Sequence, residues 1–354
     1  MAVFIREGST ARNMEALSPL FHSPTAHRCL LVTDDRHADE LVEFGHIDFL
    51  LRRAVALGAD AVTALQMVTV NPARHFGLNQ LGAVAPGYRA DFAVLEDLRQ
   101  FKVRQVYCAG ECVAEDGKLL AAIPAEETVD PAIQTTVRIH PDSIDLSVPA
   151  GSERSGRSGQ AEKKKKIRVL TCADGQIVTG QVLVEPKIRK GLLVADSERD
   201  ILKVAVIERH HGTGNIGIGF VRGFGIKQGA IASTIAHDSH NLIVVGTDDT
   251  SMMLAIRKIT EMQGGLVVSN EERVLETLPL PIAGLMTTAS AEKVRVQLRQ
   301  LEIAMEKIGV VAQHPFMLLS FLALPVIPEL KITDQGLVDV LKFRRVPLQG
   351  DTEK

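Results

Sequence analysis

The run Cys29-Leu30-Leu31-Val32-Thr33 is short and apolar, and it stops abruptly at Asp34-Asp35-Arg36-His37. An unbroken apolar run of this length fits a strand buried on both faces, as in a parallel sheet covered by helices. In such folds polar groups collect at the carboxyl ends of strands, so Asp34 and its neighbours are predicted to face a site. A plainer reading makes one aspartate the cap of the following helix, where a carboxylate accepts the free N–H groups of the first turn. Spacing within the run does not separate the two.

Around this strand the periodicity predicts alternating elements. Val3-Phe4-Ile5 fits a short strand, and Ser9 to Leu20 a helix with Ser9 as its cap. Ile47, Leu50, Leu51, Ala54, Val55 and Leu57 recur at helical spacing between Gly45 and Gly58. Asp60 or Thr63 then starts a helix that runs to Val70 and ends at Asn71-Pro72. Ala90–Leu95, Val103–Ala109 and Cys112–Ala114 fit antiparallel strands, with a turn at Gly110-Glu111. His75, beside Phe76, fits packing or solvation better than metal ligation.

From 141 to 166 small, polar and charged residues dominate and no apolar period survives, which predicts a flexible linker. Its Lys163–Lys166 run has no aromatic company and fits a solvated tether better than a nucleic-acid patch. With a formal net charge of −3 there is no electrostatic reason to expect nucleic acid or an anionic membrane as partner. Cys29, Cys108, Cys112 and Cys172 form no Cys-x-x-Cys pair and fit reduced thiols. Without an apolar run of membrane length or a signal-like start, a cytoplasmic location is expected.

Beyond 166, Leu202–Ile207 fits a strand that delivers Glu208-Arg209-His210-His211 to its end. The following Gly212–Gly219 run is too glycine-rich for a helix, and it lacks the register of a P-loop or a dinucleotide fingerprint. Gly229–Ala236 is a second strand-like run, ending in His237-Asp238-Ser239-His240-Asn241, and Leu242–Val245 is a third. His210, His211, His237, Asp238 and His240 thus lie at neighbouring strand ends. There they fit either proton transfer or metal binding, or hydrogen bonds that hold glycine-rich turns. Thr250–Met262 and Ser290–Ile308 fit helices, the second with Val294, Leu298, Leu301, Met305 and Ile308 along a core stripe.

The sequence Thr69-Val-Asn71-Pro72-Ala73, then Gly82-Ala-Val84, Pro86-Gly87 and Ala90-Asp91, resembles the metal-dependent amidohydrolase superfamily. Within it, Ile5-Arg6-Glu7-Gly8-Ser9, Thr33–His37, Glu43-x-Gly45-His46-Ile47-Asp48 and Arg209–Asn215 are similar to the adenine deaminase family. The resemblance implies an α/β fold class. It places the last two βα units of a TIM-type amidohydrolase barrel at 1–75, β-sandwich strands at 76–140, a linker at 141–166 and an α+β carboxyl-terminal domain at 167–354. It implies hydrolysis of adenine to hypoxanthine and ammonia, with a manganese or iron centre that is binuclear in the intact enzyme. Asp34 matches the family's strand-8 aspartate, which ligates metal and shuttles a proton; Asp35 is the weaker match. His237, Asp238 and His240 are the further catalytic candidates, and Arg36, His210 and His211 the substrate-binding ones. The family's His-x-His pair occurs nowhere in this sequence. A separate chain carrying the missing barrel half is therefore an expected partner, and a homo-oligomer is expected too. Another cyclic-amide or purine amidohydrolase and a non-catalytic remnant or binding module are the alternatives.

Overall fold

The structure is a computed structural model that describes residues 1–9, 12–121, 129–150, 166–173 and 175–350. It is a mixed α/β architecture of two units, Met1–Glu127 and Thr128–Lys354.

In the first unit β1 (Val3–Arg6) and β2 (Cys29–Val32) pair in parallel, with Val3 opposite Cys29 and Arg6 opposite Val32. Among the described residues of this unit the α-helices are α1 (Met14–Leu17), α2 (Ala38–Phe44), whose span the sequence pattern did not suggest, α3 (Ile47–Ala56), α4 (Ala61–Val68) and α5 (Val70–His75). Ile5, Cys29 and Leu31 are buried with Leu50, Leu51 and Ala54 of α3 and Ala64 and Met67 of α4. Asp60 caps α4 by accepting the Thr63 N–H at 3.0 Å.

Two sequence expectations fail here for physical reasons. The predicted Ser9–Leu20 helix shrinks to α1, because Ser9 serves a different loop. Ser9 is buried; its Oγ donates to Glu40 at 2.6 Å and accepts the His37 N–H at 3.0 Å. The helix expected to end at Asn71-Pro72 breaks at Thr69 instead and resumes as α5 with Pro72 in its first turn. A first-turn N–H has no intrahelical partner, so proline loses nothing there.

Asn71 carries its own message. It is buried, and its Nδ2 donates to the Cys29 carbonyl at 2.9 Å and the Ala26 carbonyl at 3.3 Å, clipping α5 to the start of β2. Asn71→Ala leaves these carbonyls without their donor and is expected to destabilise the first unit by about 1–3 kcal/mol. Urea unfolding followed by a first-unit probe reads this directly; an unchanged midpoint would refute the clip.

β3 (Phe92–Leu95), β4 (Val103–Cys108), β5 (Glu111–Glu115) and β6 (Lys118–Leu119) form one antiparallel sheet in chain order. Among the described residues of 76–121 these strands form one sheet. His75 packs edge-on to Phe4 and Phe76, at ring-centroid distances of 5.2 and 4.8 Å.

The second unit contains β7 (Lys166–Thr171), β8 (Gly180–Val184), β9 (Lys187–Arg189) and β10 (Leu192–Val194), followed by β11 (Leu202–Ile207) and β12 (Ile216–Arg222). Then come β13 (Ala230–Ser233), β14 (Leu242–Gly246), α6 (Asp249–Met262), β15 (Gly265–Ser269) and β16 (Val274–Pro279). Next are α7 (Ala291–Lys307), α8 (Pro315–Leu322), β17 (Leu330–Thr333), β18 (Gly336–Asp339), β19 (Arg344–Val346) and β20 (Gln349–Gly350). The large sheet runs β16-β15-β13-β14-β11-β12-β7-β20, with β8 also on β7. Its pairings are antiparallel except β12 with β7.

Alternation along β11 sends Val204 and Val206 to one core with Leu301 and Met305 of α7 and Leu319 and Leu322 of α8. Ala205 and Ile207 go to the opposite core with Met252, Ile256 and Ile259 of α6. Both faces of the sheet are covered, which is why these strands are apolar at nearly every position. Gly217, in the glycine-rich run, sits in β12, and a Cβ there would lie 1.9 Å from the Thr333 carbonyl of the β17–β18 hairpin. That glycine permits close packing.

The second unit starts earlier than the pattern suggests. Val137, Ile139 and Leu146 are buried beside α6, and Val148 packs near Leu193. Residues 129–140 therefore do not belong with the strands of 76–121, and 141–150 are not a free linker. The remainder of the expected linker, 151–165, including Lys163–Lys165, lies outside the described residues. No described helix is long and apolar enough to cross a membrane.

Candidate functional site

In the first unit the predicted strand-end residues form a corner at the carboxyl end of β2. Asp34 is exposed and adopts a left-handed backbone, φ 57°. Its Oδ1 accepts the Asp35 N–H at 3.0 Å, and its Oδ2 takes Nη1 of Arg6, at the end of β1, at 2.8 Å. Parallel pairing makes this possible, because it brings the carboxyl ends of β1 and β2 side by side. The carbonyl of Asp35 accepts the Ser9 N–H at 2.8 Å. Asp34 caps no helix: α2 begins at Ala38 with His37 as its cap residue. Arg36 lies over the Phe49 ring, 4.0 Å from its centroid, with burial drawing its pKa down against the pull of Glu40.

In the second unit the loops after β11 and β13 are stitched together. His210 Nε2 donates to the Ser239 carbonyl at 2.7 Å. His240, also left-handed at φ 51°, accepts the Ala236 N–H on Nδ1 at 3.2 Å, which leaves its proton on Nε2. The rings of His237 and His240 are 5.5 Å apart, and His237 also packs on Phe321 at 4.9 Å. Burial lowers the His240 pKa, helped by the charges of His237, Arg209 and His210 and opposed by Asp238. The structure thus brings His210, His237 and His240 together, while His211 and Asp238 face solvent.

Two residues that sequence reasoning passed over organise this cluster. Buried Glu208 accepts backbone N–H groups of His210 and His211 on Oε1, and the N–H and hydroxyl of Thr213 on Oε2. Burial pushes this carboxyl upward, but the donors from Thr213, His211 and His210 outweigh it and hold the pKa down at about 2. The N–H groups of His210, His211 and Thr213 are therefore taken by Glu208 and do not form a phosphate cradle. Arg209 is buried, and it donates to the carbonyls of His240, Thr136 and Ala283 and to the Thr136 hydroxyl. Burial lowers its pKa to about 10, against the attraction of Glu208. The available signal was a charged pair directly after a strand that is apolar at every position but Lys203.

Because the folded pKa of Glu208 lies below its ordinary value, its stabilisation is complete above about pH 4.5 and fades as pH falls through about 2. Glu208→Gln is accordingly expected to flatten the acid limb of the stability curve between those limits, read by denaturant unfolding at stepped pH. An acid limb identical to the parent's would contradict the assignment.

Among the described residues no group of three or more His, Cys, Asp or Glu is placed to hold a metal ion. The histidine cluster is therefore not a metal site as it stands. Asp34 supplies a single carboxylate, and among the described residues no further ligand set gathers around it.

The sequence agrees with known proteins in two segments. Residues 5–113 match the amidohydrolase family, and residues 176–344 match the adenine deaminase C-terminal domain. The chain is similar to "Adenine deaminase" of Desulfatibacillum aliphaticivorans, 44% identical over 98% of this chain and 59% of the relative. It is also similar to "Adenine deaminase 2" of Carboxydothermus hydrogenoformans, at 44% over the same shares. "Adenine deaminase" of Halalkalibacterium halodurans is 40% identical over the whole chain and 59% of its own length. The chain spans about three-fifths of the length of these curated relatives.

Proposed function

We propose that the chain belongs to the adenine deaminase family and supplies the Asp34 corner of a hydrolytic site converting adenine to hypoxanthine and ammonia. The observation that carries this is the exposed Asp34 carboxylate at the carboxyl end of β2, fixed from the neighbouring parallel strand by Arg6. In this reading β1 and β2 with their helices are the last two βα units of the barrel, and the other strands come from a separate chain or another segment. Asp34 takes the proton of the attacking water and returns it to the departing nitrogen, which is general acid–base work. The amidohydrolase family implies a metal cofactor, and we assign manganese or iron, to which Asp34 would give one oxygen donor. Such an ion supplies hydroxide near neutral pH.

The carboxyl-terminal candidates divide by their bonding. His210 and His240 are engaged with backbone groups, and His237 packs between His240 and Phe321, which supports a role in holding the loops. His211 and Asp238 face outward and are the proposed substrate contacts of that cluster. Arg36, seated on Phe49, is better suited to supporting the Asp34 loop than to binding purine. The location proposed is the cytoplasm and the role purine salvage.

The test supplies the barrel segment of an adenine deaminase relative to this chain and offers the complex adenine, then dihydropyrimidine as a cyclic-amide substrate. Hypoxanthine and ammonia from adenine alone are expected. A stable complex that turns over the cyclic amide and leaves adenine untouched would replace this reading with its runner-up.

A further inference from the structure

The segment Glu43–Asp48 takes no part in the chemistry assigned above, yet it holds one exposed imidazole with unusual care. His46 precedes α3, but its side chain makes no bond to that helix. It reaches back to the end of β2, where Nε2 meets the Thr33 hydroxyl at 3.0 Å, one residue before Asp34. The backbone of His46 is pinned in turn: its N–H donates to Asp48 Oδ1 at 2.8 Å. Asp48 Oδ2 binds Arg52 at 2.9 Å, and Arg52 donates to the carbonyls of Phe44 and Gln100. Gly45, at φ 90°, permits this turn, because a Cβ there would stand 2.4 Å from the Asp48 carboxylate. Exposure rules out core packing as the reason for so much support.

We infer that His46 is a positioning residue that acts through Thr33 to hold Asp34 in the conformation that presents its carboxylate. The inference rests on the reading of Asp34 as the reacting group. A non-glycine residue in the left-handed region is held at a cost and persists only where its surroundings fix it. The corner is fixed on both sides. Thr33 is held by His46 before Asp34, and the Asp35 carbonyl is held by the Ser9 N–H after it. Arg6 fixes the carboxylate itself. Freed at Thr33, the corner can relax toward an ordinary backbone and swing the carboxylate away. A displacement of about 1 Å at a reacting group can cost on the order of 10²-fold in rate.

Two readouts test this, one of them independent of catalysis. In the full 354-residue chain, His46→Ala should speed exchange of the Asp35 amide about tenfold, corresponding to about 1.4 kcal/mol, with the first unit still folded. Thr33→Val should do the same, and the double substitution should add nothing further. His46→Gln, whose amide nitrogen can stand where Nε2 stood, should restore slow exchange. In the enzyme completed with a barrel segment, His46→Ala should lower kcat about tenfold or more with KM nearly unchanged, and His46→Gln should recover most of it. Unchanged exchange and kcat in His46→Ala, additive losses in the double variant, or no rescue by Gln would each overturn the proposal. If Asp34→Asn kept its turnover, the reading of Asp34 would fall separately, and the exchange data would still decide whether His46 holds the corner.

Discussion

Replacing Arg209 with methionine is expected to destabilise the second unit by about 3–5 kcal/mol, a large share of the 5–15 kcal/mol that holds a typical domain together. Arg209 is 1% exposed, and its guanidinium joins chain segments remote in sequence: Thr136, His240 and Ala283. Methionine fills much of the volume but donates nothing, so carbonyls buried around the guanidinium lose their donor at about 1–3 kcal/mol each. Packing is tight as well. A Cβ at Gly284, which has φ 73°, would approach the guanidinium to 2.8 Å. Arg209→Lys keeps the charge but not the planar fork, and it should fall well short of rescue. Urea unfolding of the intact chain checks this; a loss below about 1 kcal/mol would show that the loops do not depend on Arg209.

In the completed enzyme Asp34→Asn is expected to lower kcat about 10³-fold, or about 4 kcal/mol of barrier, while adenine still binds. The amide keeps the size and the contact with Arg6 but cannot accept the proton that hydrolysis releases from water. Asp35→Asn should cost less than about tenfold. The Asp35 residue contributes its backbone to the corner, its N–H to Asp34 and its carbonyl to Ser9, and those groups survive the substitution. A reversed order of the two losses would move the role to Asp35.

The parts of this architecture that the sequence discloses are those whose information is local. Leu242–Val245 is a strand buried on both faces, which leaves a continuous apolar signal, and Leu202–Ile207 carries the same signal interrupted only by Lys203. Asp60 and Ser290 cap the helices their spacing suggests, with partners within one turn. Ser9 misled for the opposite reason. Its partners Glu40 and His37 are 31 and 28 residues away, and nothing near Ser9 indicates that its hydroxyl is taken. The Arg6–Asp34 contact also spans 28 residues and exists only because β1 and β2 pair in parallel. Glu208 was hidden among histidines whose chemistry is more conspicuous, although it is the carboxylate that shapes their loop. The early start of the second unit was obscured because residues 129–150 bury isolated side chains, Val137, Ile139 and Leu146, rather than a periodic stripe.

The proposed function makes Asp34 one corner of a hydrolytic site that needs further barrel strands. The measurement is hypoxanthine formation by the purified chain with added manganese, first alone and then with the barrel segment of a relative. No turnover alone, and turnover that appears with the added segment and disappears again in Asp34→Asn, is the predicted result. Turnover by the chain alone at the rate of the completed enzyme would contradict it.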